Sequence, residues 1–393
     1  MTRSAAQPRF ADAFRIVAVL LVAVNLRPPV AGVGPLLPDI RRAFGLSASA
    51  AGLITALPVL CFGLAAFASP YLARRFGMER TIGVVLLLIC GGLGIRSAGS
   101  IMSLYLGTAV LAAAIAVANV LLPAVIKADF PARVGLLTGA YTTVMTGTAA
   151  LAALIAVPVA AAVGGWRSGL LVWLPVVVFA GVCWIPQLRG SSQHEVVVRS
   201  ASGVGLWRKP LAWGVATYFG LQSLGFYALL NWLPSLLQDD HFTPGTAGAL
   251  LSLMTVIGIP LGLLVPAIVG GRADQRMAAM TTSVITGVGL LGLLVLPHSA
   301  PVLWVILIGL GQGATFPLSL MFMALRASNV SVTGELSAMS QGFGYLMAAS
   351  GTLLVGVVHD VTGSWGAVVT LLLVVTVVQG VAGWIAGRAG VVA

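Results

Sequence analysis

The sequence predicts an all-α polytopic membrane protein, and three observations carry that expectation. Of its 393 residues, 59% are hydrophobic and only 8% charged, at a mean hydropathy of +1.05, whereas soluble domains carry about 25% charged residues. Apolar runs long enough to cross a bilayer follow one another along the chain, punctuated by short turn-forming segments. The second half also repeats features of the first in a fixed register.

Taken in order, residues 1–12 are short and polar, with Arg3 and Arg9. No small-residue cleavage site follows a short apolar core, so the first apolar run is expected to remain as a helix. Six spans are predicted near 14–37, 50–73, 81–97, 101–126, 134–160 and 165–186. Six more fall near 210–236, 244–268, 278–297, 301–325, 334–358 and 363–387. Residues 1–186 then make an N-terminal six-helix bundle and 210–393 a C-terminal one. Between them, 187–209 holds Gly190-Ser191-Ser192-Gln193-His194-Glu195 and reads as a cytoplasmic linker.

The charges fit this layout. With the N-terminus inside, sixteen Lys and Arg lie on the cytoplasmic side, and four (Arg41, Arg42, Arg96 and Arg167) lie outside. That bias places both termini in the cytoplasm. The pI near 10.6 comes from scattered loop charges rather than a basic patch, so no nucleic-acid partner is expected. Cys61, Cys90 and Cys183 sit in separate spans and read as small buried hydrophobes. The four histidines fall in loops or at span ends, and neither a metal site, a cofactor motif nor a catalytic nucleophile–base pair is visible. The glycine runs Gly91-Gly92-x-Gly94, Gly309-x-Gly311-x-Gly313 and Gly342-x-Gly344 are expected to pack helices closely. Trp166, Trp207, Trp213 and Trp365 lie near span ends, where an interfacial belt is expected.

A shift of 196 residues carries Leu37-Pro38 onto Leu233-Pro234, Ala51-Gly52 onto Ala247-Gly248, Pro70 onto Pro266 and Arg80 onto Arg276. A shift of 204 carries Tyr141 onto Tyr345 and Gly147-Thr148 onto Gly351-Thr352. Two parallel six-helix halves of this kind are the repeat pattern of major-facilitator transporters.

Within the first span stands Asn25-Leu26-Arg27-Pro28-Pro29, continuing through Gly32 and Gly34-Pro35 to Leu36-Leu37-Pro38-Asp39. A guanidinium at membrane depth costs about 2.5–3.5 kcal/mol on insertion scales, and it cannot escape by losing its proton. It therefore calls for a polar cavity or an anionic partner. The two prolines remove backbone donors beside it and break the helix. Asp39 is twelve residues away, about 18 Å along a helix, too far for a direct ion pair. All ten acidic residues fall in loops or near span ends, so the spans offer neither a proton relay nor a counter-ion for Arg27.

Residues 25–39 resemble the first-helix signature of the bacterial cyanate/2-nitroimidazole transporter family of the major facilitator superfamily. Gln341-Gly342-Phe343-Gly344-Tyr345 in the eleventh span is similar to that family as well. The loop after the second span departs from the superfamily pattern Gly-x-x-x-Asp-Arg-x-Gly-Arg-Arg: Pro70 and Arg74 stand for its Gly and Asp, while Arg75, Gly77 and Arg80 remain. The resemblance implies a major-facilitator fold, twelve transmembrane helices and residence in a bacterial inner membrane. It also implies a cargo among small anions and neutral or weakly acidic nitrogen compounds.

The other candidate binding residues follow from helical spacing. Ser223, Tyr227 and Asn231 are four apart on one face of the seventh span, with Ser223 at the repeat position of Arg27. Ser337, Gln341 and Tyr345 form a similar stripe, as do Thr138, Tyr141, Thr142 and Met145. Asn119, Gln222 and Gln312 add single amides suited to interhelical hydrogen bonds, and Asn119 is kept with Asn25 among the candidate site residues. The sequence thus points to a secondary transporter working by alternating access. Its partners would be the bilayer and a small anion held by Arg27, and one chain would suffice as a monomer. The alternative is an exporter of neutral compounds in which Arg27 is structural. An enzyme would need a catalytic constellation, and a receptor a sensing domain; neither is visible.

Overall fold

The computed structural model describes residues 6–188 and 203–392. Most of the predicted linker, 189–202, lies outside the described residues, as do Arg3, His194 and Glu195. Among the described residues ten helices are long and apolar enough to cross a membrane, and a bent pair, Gly52–Ala66 with Ser69–Phe76, makes an eleventh span. The helix Pro210–Asp239, where the seventh span was expected, is thirty residues long. The chain forms two compact units: Met1–Ala128 with Ala140–Ser200, and Asp129–Gly139 with Ala201–Ala393.

The first unit opens with α1 (Ala6–Val24), α2 (Pro28–Ala31) and α3 (Val33–Phe44), the first candidate span running from Asp12 to Ala31. Then come α4 (Ala48–Ala66) and α5 (Ser69–Phe76), α6 (Met78–Arg96) and α7 (Ile101–Asp129). After α8 (Val134–Val163), which belongs to this unit from Ala140 onward, follow α9 (Trp166–Leu171) and α10 (Leu174–Leu188). The second span, expected to be continuous, bends by 53° between α4 and α5. Pro70 explains the bend, since it has no N–H to offer the Ala66 carbonyl. The α7 helix is buried on nearly every face from Leu111 to Ile126, as an all-round apolar helix must be. One apolar cluster joins Leu36 and Ile40 of α3 to Ile54, Leu104, Ala156 and Trp166. Trp166 is therefore a core residue, 6% exposed, not part of an interfacial belt. Its ring meets Phe44 within the unit, and the Arg167 guanidinium lies 4.5 Å from its centroid.

The second unit contains α11 (Pro210–Asp239), α12 (Pro244–Ile257), α13 (Ile259–Val269) and α14 (Arg276–Val295). It ends with α15 (Pro301–Leu325), α16 (Val330–Thr362) and α17 (Trp365–Ala386). Small residues set its closest crossings. A Cβ on Gly344 would lie 3.2 Å from the Gly220 Cα and 2.3 Å from the Phe219 ring, so α11 and α16 meet almost backbone to backbone. Gly309 and Gly313 rest on the end of α12, whereas Gly311 rests on Thr282 and Thr286 of α14. That run serves two neighbours at once. By contrast, Gly91 and Gly94 face open space and only Gly92 packs.

Buried polar pairs tie these helices together. Tyr218 Oη lies 3.2 Å from Thr282 Oγ1, and Gln379 Nε2 donates to Ser283 Oγ at 3.3 Å. Gln222 Nε2 donates to Gln312 Oε1 at 3.5 Å, so two of the amides suited to interhelical hydrogen bonds are bonded to each other. A double-mutant cycle on Gln222→Leu and Gln312→Leu should give a coupling of about 0.6 kcal/mol, the usual size for such pairs in membranes. Denaturant titration of the single and double variants would measure it.

At one end of the unit Arg326 is almost fully buried. It donates to the Ala386 carbonyl at 2.8 Å, the Gly387 carbonyl at 3.0 Å and the Ala273 carbonyl at 3.3 Å, and also to Gln275 Oε1. The Ala386 and Gly387 carbonyls are those that close α17, whose satisfaction a cation at a helix C-terminus provides. The adjacent backbone pairs as well, Val392 N donating to the Arg326 carbonyl and Ser328 N to the Val392 carbonyl.

Candidate functional site

The predicted break in the first span is present, and it lies just ahead of the prolines. Asn25, Leu26 and Arg27 leave the α-helical ladder between α1 and α2, and Gly32 separates α2 from α3. Proline disfavours helix at the residue before it and supplies no N–H, so the Val24 and Asn25 carbonyls lose their usual donors. The backbone tightens instead: Asn25 N turns to the Val22 carbonyl at 3.0 Å and Leu26 N to the Ala23 carbonyl at 3.2 Å. That leaves the Leu21 carbonyl without its usual donor, and Asn25 Nδ2 donates to it at 2.7 Å. Because that bond fixes the amide orientation, Oδ1 is the atom turned away; it is buried and has no partner.

Arg27 stands at the N-cap of α2, half-buried, with φ −117° and ψ −41°. Asp39 pairs with Arg42 one turn along α3. A second cation reaches the break. Arg96, assigned above to an outer loop, is the last residue of α6 and only 1% exposed. Its Nη1 donates to the Pro29 carbonyl at 2.5 Å, while Nε and Nη2 are buried without partners. Its backbone is pressed against α7: a Cβ on Gly107 would lie 2.3 Å from Arg96 N. Counting charges by loop missed Arg96; the signal available was Gly107 one short hairpin away.

The remaining candidates divide between the units. Asn119 and Tyr141 are buried in the first, 5% and 2% exposed. In the second, Gln341 Nε2 donates to Ser337 Oγ at 2.9 Å and lies 3.9 Å from Met323 Sδ, and all three residues are buried. Tyr345 meets the Phe219 ring edge to face, 5.4 Å between centroids. Ser223 Oγ donates to Gln222 Oε1 at 3.3 Å, joining the Gln222–Gln312 pair. Tyr227 is half-buried, and Asn231 is exposed with Nδ2 on the Tyr227 carbonyl at 2.8 Å. Gln341 thus engages Ser337 on its own helix, and Ser223 engages Gln222 within its own unit.

The model for the Major Facilitator Superfamily matches residues 21–352. The chain belongs to the major facilitator superfamily. Within it, the chain is 40% identical over 375 residues to the 2-nitroimidazole transporter of Escherichia coli (strain K12), covering 95% of each chain. It is 33% identical over 353 residues to the cyanate transport protein of the same organism, covering 89% of this chain and 91% of that one. These relatives bear out the resemblance carried by residues 25–39 and 341–345. Among solved structures, the superfamily's proton:xylose symporter aligns with a TM-score of 0.77 at 12% identity, covering 94% of both chains, a likeness of fold. The protein is therefore a multi-pass major-facilitator secondary transporter and not an enzyme.

Proposed function

We propose that the protein moves a small anion, cyanate-like or a small organic acid, across a bacterial inner membrane, with both termini in the cytoplasm. Arg27 binds the anion, and Asn25, Tyr141, Gln341 and Tyr345 supply hydrogen bonds. The two six-helix halves rock about this residue set in alternating access, and one chain is the working unit. The observation that supports this reading best is the interruption of the first span at Asn25–Arg27. It holds a guanidinium between two helical pieces where the ladder is open, and a planar fork suits carboxylates and similar anions. The names of the relatives agree in chemistry: cyanate is an anion, and a nitroimidazole is a weak N–H acid with acceptor oxygens.

The test is thermal stabilisation of the purified protein by cyanate, acetate, benzoate and uncharged 2-nitroimidazole, beside Arg27→Ala. A ligand at a hundred times its Kd stabilises by about 2.7 kcal/mol. One or more of the anions should raise the wild-type melting temperature, and Arg27→Ala should fold but bind that anion at least tenfold more weakly, about 1.4 kcal/mol. If only the uncharged compound stabilises, or Arg27→Ala responds as the wild type does, the protein is an exporter of neutral compounds with a structural Arg27.

A further inference from the structure

We propose that Arg96 is a second anion-binding group at the first-span break, presenting its Nε/Nη2 edge to the same small anion. The inference rests on the reading of that break as the substrate site. Three observations carry it. The guanidinium is buried at 1% exposure and pinned at Nη1 by the Pro29 carbonyl. The two nitrogens left without partners, Nε and Nη2, are the side-on edge by which a guanidinium takes two acceptor atoms in parallel. Among the described residues Arg96 makes no ion pair, its one hydrogen bond going to a neutral carbonyl. A buried cation left so is costly, and an anion on its open edge removes that cost.

The same break offers one buried acceptor without a partner, Asn25 Oδ1. A two-nitrogen donor edge suits small planar molecules with adjacent acceptor atoms, either monoanions or weak acids, and an acceptor at the break suits the N–H or O–H of a weak acid. The Pro29 carbonyl matters because it fixes which edge of the guanidinium stays open.

The experiment measures dissociation constants of cyanate and benzoate from melting temperatures in lipid nanodiscs, for wild type, Arg96→Lys and Arg27→Ala. Lysine keeps the charge and a donor for the Pro29 carbonyl but has no two-nitrogen edge. Arg96→Lys should melt near the wild type unliganded and bind the anions at least about tenfold more weakly. Unchanged binding by Arg96→Lys, with Arg27→Ala impaired, makes Arg96 a helix clamp only and overturns the inference alone. Loss in Arg96→Lys with wild-type binding in Arg27→Ala sustains it and overturns the role of Arg27. A wild type that neither anion stabilises overturns both. Should Arg96→Lys not fold, Asn25→Asp decides: a carboxylate at the break should compete with the anion and weaken it at least about tenfold, and unchanged binding overturns the inference.

Discussion

Arg326→Met is expected to destabilise the protein by about 3–5 kcal/mol, because it strips a charged donor from several buried acceptors at once. Methionine fills much the same volume, so the loss is not one of packing. It comes from the groups Arg326 leaves behind: the Ala386 and Gly387 carbonyls at the end of α17, the Ala273 carbonyl and Gln275 Oε1. Each buried acceptor left unmade costs about 1–3 kcal/mol. Gln275 N also donates to the Gly387 carbonyl at 2.8 Å, so loss of the cation loosens the joint between α14 and α17 as a whole. Chemical denaturation of the purified variant measures the loss. Arg326→Lys, which reaches one acceptor at a time, should recover only part of it.

Gly107→Val should cost about 3 kcal/mol, the upper end for overpacking. A Cβ there would stand 2.3 Å from Arg96 N, 2.6 Å from Arg96 Cα and 2.6 Å from the Gly92 carbonyl. All three are backbone atoms, so no side-chain rotation gives relief and α6 must part from α7. The variant should also lose the Arg96–Pro29 bond, because the guanidinium is carried away with its helix. Gly91→Val is the matched control: Gly91 lies on α6, the partner helix of that contact, and meets nothing within 4 Å, so its melting temperature should stay near that of the wild type. A pair that falls equally would show that helix propensity, and not the α6–α7 contact, governs the effect.

The helical architecture was legible because its signal is collective. Twelve apolar runs cannot be hidden in a bilayer-length sequence, and Pro28-Pro29 announced a break through chemistry that is local. The seat of the break was less exact, since the strain falls on Asn25 to Arg27, ahead of the rings that cause it. An interhelical hydrogen bond was expected of Gln222 and of Gln312 because an amide at span depth needs a partner, but that each is the other's partner was not legible. Arg96 and Arg326 were not anticipated. Each closes a span, where charge-counting assigns an Arg to the adjoining loop, and each turns inward instead to a carbonyl contributed from far along the chain. Trp166 was misread for the same reason, as a position at a helix end that tertiary packing buries.

The Arg96 contact has a consequence for how its history could be traced. Its acceptor is the main-chain oxygen of residue 29, an atom that every amino acid carries. Substitution at position 29 would alter the shape of the break yet still offer a carbonyl, so the two positions are under no pressure to change together. A search for paired substitutions would pass over this contact, however much depended on it.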